Sequence, residues 1–156
     1  KEETIKLDLV DSVLSGMNYP GGRLHNILRE KGLVYLVHAT NQSGIEKGHF
    51  LIYALTTKNQ LEEVKKIIFD EINSIKTTLI SDEEFEESMA QLNFYYQDRV
   101  SSHDNLSIIS ATDELYNRGY DFYTKAYKKA QKLTKEDIQK TAKEYLVNPQ
   151  ILILEN

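Results

Sequence analysis

Apolar residues in this chain recur at two spacings. Ile5, Leu9, Val10, Val13, Leu14 and Met17 fit a helical stripe, although Ile5, Leu7 and Leu9 alone also alternate like a strand. The longer window and the Glu2-Glu3 charges near its N-terminus favour a helix over Glu2 to Met17. Asn18-Tyr19-Pro20-Gly21-Gly22 breaks that pattern. A second stripe follows in Leu24, Ile27, Leu28 and the aliphatic part of Lys31. Gly32 stands where a helix end needs positive φ, and Leu33 to Val37 reads as a strand start. Arg29 therefore falls in a last helical turn and Tyr35 at the opening of a strand. The turn between them predicts a guanidinium and a phenol close in space, both hydrogen-bond donors.

A hairpin comes next, with arms Val34 to Thr40 and His49 to Thr57 joined by the polar, glycine-containing run Asn41 to Gly48. Phe50, Ile52 and Ala54 alternate with Leu51, Tyr53 and Leu55, so both faces of the second arm are apolar, as in a strand covered on both sides or set within a larger sheet. The remainder is mostly helical. Asn59 with Glu62 predicts a capped start for a helix from Gln60 to Leu79, with Val64, Ile67, Ile68, Ile72 and Ile75 on its buried stripe, covering a face of the sheet. Ser81 with Glu84 predicts a capping box before Phe85, Met89, Leu92 and Tyr96. Asp104 is the expected cap of a helix carrying Leu106, Ile109, Leu115 and Tyr116 and stopped near Gly119. Thr134 with Asp137 opens a last helix with Ile138, Ala142, Tyr145 and Leu146 inside, ended by Asn148-Pro149. Ile151 to Leu154 is short and wholly apolar, and reads as a central strand of the same sheet.

The expected fold class is α+β, with an antiparallel or mixed sheet and helices mainly on one face. With 156 residues, and neither repeat nor linker, the expectation is one domain over 1–156. The chain opens Lys1-Glu2-Glu3 without an initiator methionine, which suggests a fragment of a longer protein. The net charge of −5 gives a nucleic-acid role no electrostatic support. No apolar run approaches the length of a membrane span. The absence of cysteine excludes disulfides and thiol chemistry, and leaves the compartment open.

The histidines His25, His38, His49 and His103 lack the paired helical spacing with a nearby acid that zinc peptidases use, so no metal site is expected in this chain. If Asn41 paired with Glu46, His38 and His49 would stand opposite each other. Two unrelated strand histidines is the reading adopted. Tyr95, Tyr96, Tyr116, Tyr120, Tyr123 and Tyr127 read as core and boundary residues. Asp82-Glu83-Glu84 with Glu86-Glu87 reads as the first turn and solvated face of a helix.

The run Arg23-Leu24 … Leu28-Arg29-Glu30-Lys31-Gly32-Leu33-Val34-Tyr35 resembles the non-catalytic, C-terminal-type domain of the insulinase/pitrilysin family of zinc metallopeptidases. The Arg29–Tyr35 separation is one residue shorter than in many members. The domain resembled also carries a strand before its first helix. The resemblance implies the substrate-binding, non-catalytic half of a zinc metalloendopeptidase, with Arg29 and Tyr35 contacting the backbone of a bound peptide. It implies no catalytic residue here, and zinc in a homologous partner domain or subunit that supplies the metal-activated water and a glutamate base. It also leaves open an inactive scaffold or partner subunit of the same family. An unrelated α+β interaction module stays open beside it.

Overall fold

The computed structural model describes residues 2–17, 19–43 and 47–155. Asn18 of the expected break and Gly44, Ile45 and Glu46 of the expected hairpin loop lie outside them. The elements run α1 (Glu2–Ser15), α2 (Gly22–Glu30), β1 (Leu36–Gln42), β2 (His49–Leu55), a 3-10 turn (Lys58–Gln60), α3 (Leu61–Thr77), α4 (Asp82–Arg99), α5 (His103–Leu115), α6 (Phe122–Ala130) and α7 (Lys135–Tyr145). The architecture is α+β, with an antiparallel sheet among the described residues and helices against one face of it.

The central element is α1. Ile5, Leu9, Val10, Val13 and Leu14 are buried, and so are Asp8, Asp11, Ser12 and Ser15. The helix is buried nearly all round because β1, α2, α4, α6 and α7 all pack on it. An apolar stripe foretells one covered face, but not that the polar side would be covered as well. The start of α2 lies against the end of α1. Gly22, at φ +72°, brings its backbone so close that a Cβ would stand 2.6 Å from the Ser15 nitrogen. Only glycine combines that torsion with that approach.

In the sheet, Val37, Ala39, Phe50, Ile52 and Ala54 turn toward the core, and His38, Leu51, Tyr53 and Leu55 toward the outside. The second arm is thus covered on one side only, unlike the strand expected from its apolar alternation. Leu36 pairs with Leu55 and His38 with Tyr53. This register overturns the alternative that set His38 opposite His49, since His49 pairs with Gln42. The imidazole of His38 instead meets the Tyr53 ring, with centroids 5.8 Å apart.

Several local expectations are corrected. Ile151 to Leu154 is in no strand, and its side chains are 45–86% exposed. Four apolar residues of high β-propensity do not form a strand without a neighbour in register. Helix α3 packs on α7 and α2 rather than over the sheet, a place taken by α1. Val64 and Ile75 of its stripe are buried, while Ile67, Ile68 and Ile72 are half-buried. Its entry is the 3-10 turn, not an Asn59 cap. Ser102, not Asp104, caps α5 by accepting the Asn105 N–H at 3.1 Å. Leu106 and Leu115 of α5 are exposed, and Asp113 is that helix's buried residue. Helix α6 was not separated from its neighbours in the sequence pattern. The Thr134/Asp137 capping box closes in both directions.

Candidate functional site

The organising stretch ends α2 with a glycine turn. The Gly32 N–H donates to the Arg29 carbonyl and the Leu33 N–H to the Leu28 carbonyl, each at 2.9 Å. This is the paired closure of a Schellman motif, and Gly32 supplies its left-handed residue at φ +65°. Leu28 and Leu33, buried beside each other's bond, anchor the turn from below. The chain leaves the turn through Tyr35, whose N–H donates to the Leu55 carbonyl at 2.8 Å, and enters β1 at Leu36. The strand therefore begins after Tyr35, later than the apolar run suggests.

Arg29 and Tyr35 are both exposed, and Tyr35 is 78% so. They do not meet head to head. One guanidinium N–H of Arg29 (Nη1) donates to the main-chain oxygen of Tyr35 at 2.7 Å. That bond fixes the guanidinium beside the Tyr35 backbone. Its remaining donors and the Tyr35 phenol have no protein partner among the described residues. A shallow cavity of about 380 Å³ opens alongside, lined by Gly32 to Tyr35, Leu55 to Thr57 and Gln60. His25, on the same helix as Arg29, titrates below the usual imidazole range because burial and then the Arg29 and His38 charges disfavour its cation. The local surface thus offers a guanidinium, a phenol, and a histidine that resists protonation.

The other arginine of the motif does different work. Arg23 grips Glu84 of α4 through two N–H groups, Nε to Oε1 and Nη2 to Oε2, the latter at 2.8 Å. Its Nη1 also reaches Ser74 at 3.0 Å and Glu71 at 3.4 Å on α3. The forked guanidinium matches a carboxylate edge and ties the start of α2 to α3 and α4. Glu84 was expected to complete a capping box. Ser81 does cap α4, accepting the Glu84 N–H at 3.1 Å, but the Glu84 carboxylate turns to Arg23. Sequence reasoning missed this clasp, because a pair sixty-one positions apart leaves no local signal.

Among the described residues no three His, Asp or Glu side chains converge as a metal site. No described helix is long and apolar enough to cross a membrane.

The comparisons with known proteins agree on the fold. The structure resembles a protease from Helicobacter pylori with a TM-score of 0.81 at 18% identity, over 94% of this chain and 35% of that one. It resembles the inactive peptidase domain of a zinc protease candidate from Bordetella parapertussis with a TM-score of 0.76 at 17% identity, over 94% of this chain and 79% of that one. A chain of Complex III2 from Candida albicans matches with a TM-score of 0.80 at 14% identity, over 92% of this chain and 36% of that one. This chain thus spans about a third of the Helicobacter and Candida chains. No curated protein matches it. The family model of the peptidase M16 inactive domain matches residues 1–92, a stretch that holds the whole Arg23–Tyr35 motif and stops short of the unpaired Ile151–Leu154 segment. On that match, the chain belongs to the peptidase M16 inactive-domain family.

Proposed function

We propose that this domain is the substrate-binding, non-catalytic half of an insulinase-like zinc metalloendopeptidase, and that Arg29 and Tyr35 hold the backbone of a peptide. The observation that supports it is their pairing on one exposed turn. The Arg29 guanidinium is oriented by the Tyr35 carbonyl and retains donors for a ligand, and the Tyr35 side chain is exposed on the same turn. Arginine stays charged across the physiological range and can engage two oxygens at once. A tyrosine hydroxyl donates without needing charge neutralisation. Such donors suit peptide carbonyls and an oxygen that gains charge during hydrolysis. A homologous zinc-bearing domain or subunit would bring the metal-activated water and its glutamate base. This chain would contribute binding, orientation and part of the enclosing wall.

Kinetics of the complete enzyme test the reading. Tyr35→Phe removes one donor. If that donor acts on the developing oxyanion, kcat falls, by up to roughly 10²–10³-fold as for single oxyanion-hole donors. If it grips only substrate backbone, KM rises and kcat holds. Arg29→Lys loses the forked contact and weakens turnover with the fold intact by thermal melt. Wild-type kinetics in both variants sinks the proposal. That outcome favours the second reading, an inactive scaffold or partner subunit of the same family.

A further inference from the structure

Two carboxylic acids lie one helical turn apart on the buried side of α1. Asp8 and Asp11 are 7% and 4% exposed. Asp8 accepts the Asn41 amide (Nδ2) from β1 and the Tyr96 hydroxyl from α4, each at 2.8 Å. Asp11 accepts the Ser15 hydroxyl at 2.7 Å. The Asn41 side chain thus links Asp8 to β1. Every one of these partners is uncharged. No lysine or arginine lies within ion-pair distance of either acid among the described residues.

The charged groups around them are few. Arg99 of α4 is turned to the Tyr95 and Tyr123 rings. Arg118, after α5, pairs at 3.6 Å with Asp113 of α5. Both guanidiniums act on Asp8 only at a distance, as minor influences. Tyr95 and Tyr96 of α4 and Tyr123 of α6 complete the titratable surroundings, and all three are held neutral by burial. The buried residues of α2 and α7 (Leu24, Leu28, Ile138, Thr141 and Ala142) carry no charge. Two anions so placed would face each other in low dielectric with neutral donors alone. Burial of that kind favours the protonated acid, and the first ionisation further disfavours the second.

We propose that Asp8 and Asp11 form a proton-dependent stabilising pair in the core around α1: the pair retains a proton near neutral pH, and its full ionisation leaves two neighbouring anions buried there without a counter-ion and destabilises the fold. Burial raises Asp8 to about 6, against opposing help from Asn41 and Tyr96. Burial, reinforced by the Asp8 charge, raises Asp11 to about 7. The sign follows from linkage. The folded chain holds these protons to higher pH than the unfolded chain, so the contribution is fully present below the unfolded carboxylate value. It is lost as pH rises through about 6 and about 7. The lowered value of His25 works in the opposite sense and cannot mimic the effect. Asp113 shifts upward as Asp8 does, through burial, but keeps Arg118 as counter-ion.

The test is denaturant unfolding of the purified chain at fixed salt from pH 5 to pH 8. The unfolding equilibrium constant is expected to increase on the order of 10²–10³-fold across that range. Asp11→Asn keeps an oxygen for Ser15 and removes the ionisation. It should flatten the profile to roughly tenfold, the share left to Asp8. A flat wild-type profile, or an Asp11→Asn profile as steep as wild type, overturns the proposal. Calorimetry of the wild type in buffers of different ionisation enthalpy at pH 6 needs no variant. Release of on the order of one proton per chain on unfolding is expected, and no release, or net uptake, overturns the proposal even if Asp11→Asn fails to fold.

Discussion

Gly32 shows how a single residue sets the candidate site. A Cβ built there meets nothing within 4 Å, so the position requires glycine for its torsion and not for its space. Gly32→Ala should cost about 1 kcal/mol, the price of a left-handed alanine, read as a lower midpoint in urea with an unchanged slope. A cost near zero would mean that the turn relaxes into another closure. Arg23 makes the complementary point. Its side chain is 18% exposed and its fork fills a carboxylate edge of Glu84. Glu84→Gln replaces one acceptor oxygen by a donor facing the guanidinium, and should destabilise the chain by about 1–3 kcal/mol, as for a lost charge-assisted bond. The same measurement on Glu86→Gln, at an exposed position of α4, should show little change. Equal effects would mean that the Arg23 clasp adds nothing beyond general charge.

At the level of elements, stability is unevenly spread. Helix α5 is exposed along most of its length, with Leu115 at 74%, and touches the rest chiefly through α4 and the buried Asp113. A helix so little covered opens at low cost. Hydrogen exchange should therefore deprotect α5 well before α1, which is buried nearly all round from Asp8 to Ser15; equal protection of the two would refute this ordering. That contrast also marks what the sequence could reveal. Local signals were readable: Gly32 at a helix end, Ser81 as a cap, and Thr134 with Asp137 in a closed box. So were the helical character of α1 and the two hairpin arms. Non-local facts were not. Periodicity in α5 pointed Leu106 and Leu115 inward, yet no described element covers them. Ile151 to Leu154 had the composition of a central strand, but strand formation depends on a partner. Within the candidate site, the adjacency of Arg29 and Tyr35 was legible from the helix–glycine–strand order. That the guanidinium would bond the Tyr35 carbonyl was not, because the bond depends on where the turn delivers the backbone.

For the whole molecule, the described histidines are spread over several elements. His38 lies tilted against the Tyr53 ring, His49 pairs across from Gln42, His25 sits on α2, and His103 opens α5. Among the described residues no three His, Asp or Glu side chains converge, where a mononuclear catalytic zinc takes three protein ligands. The family match places the domain among those called inactive, and the structural neighbours from Helicobacter and Candida are chains about three times as long as the matched region. The purified chain should accordingly cleave no peptide, and its melting temperature should not respond to a chelator or to equimolar zinc. On the function proposed above, mixing it with a homologous zinc-bearing domain should produce chelator-sensitive cleavage that neither part shows alone. Tight one-to-one zinc binding by this chain would overturn the division of labour proposed here and redirect attention to its histidines. Cleavage by the zinc-bearing domain alone, undiminished without this chain, would leave Arg29 and Tyr35 without a part in hydrolysis. A mixture that cleaves, but equally well when both are substituted, would confine the domain to closing the chamber.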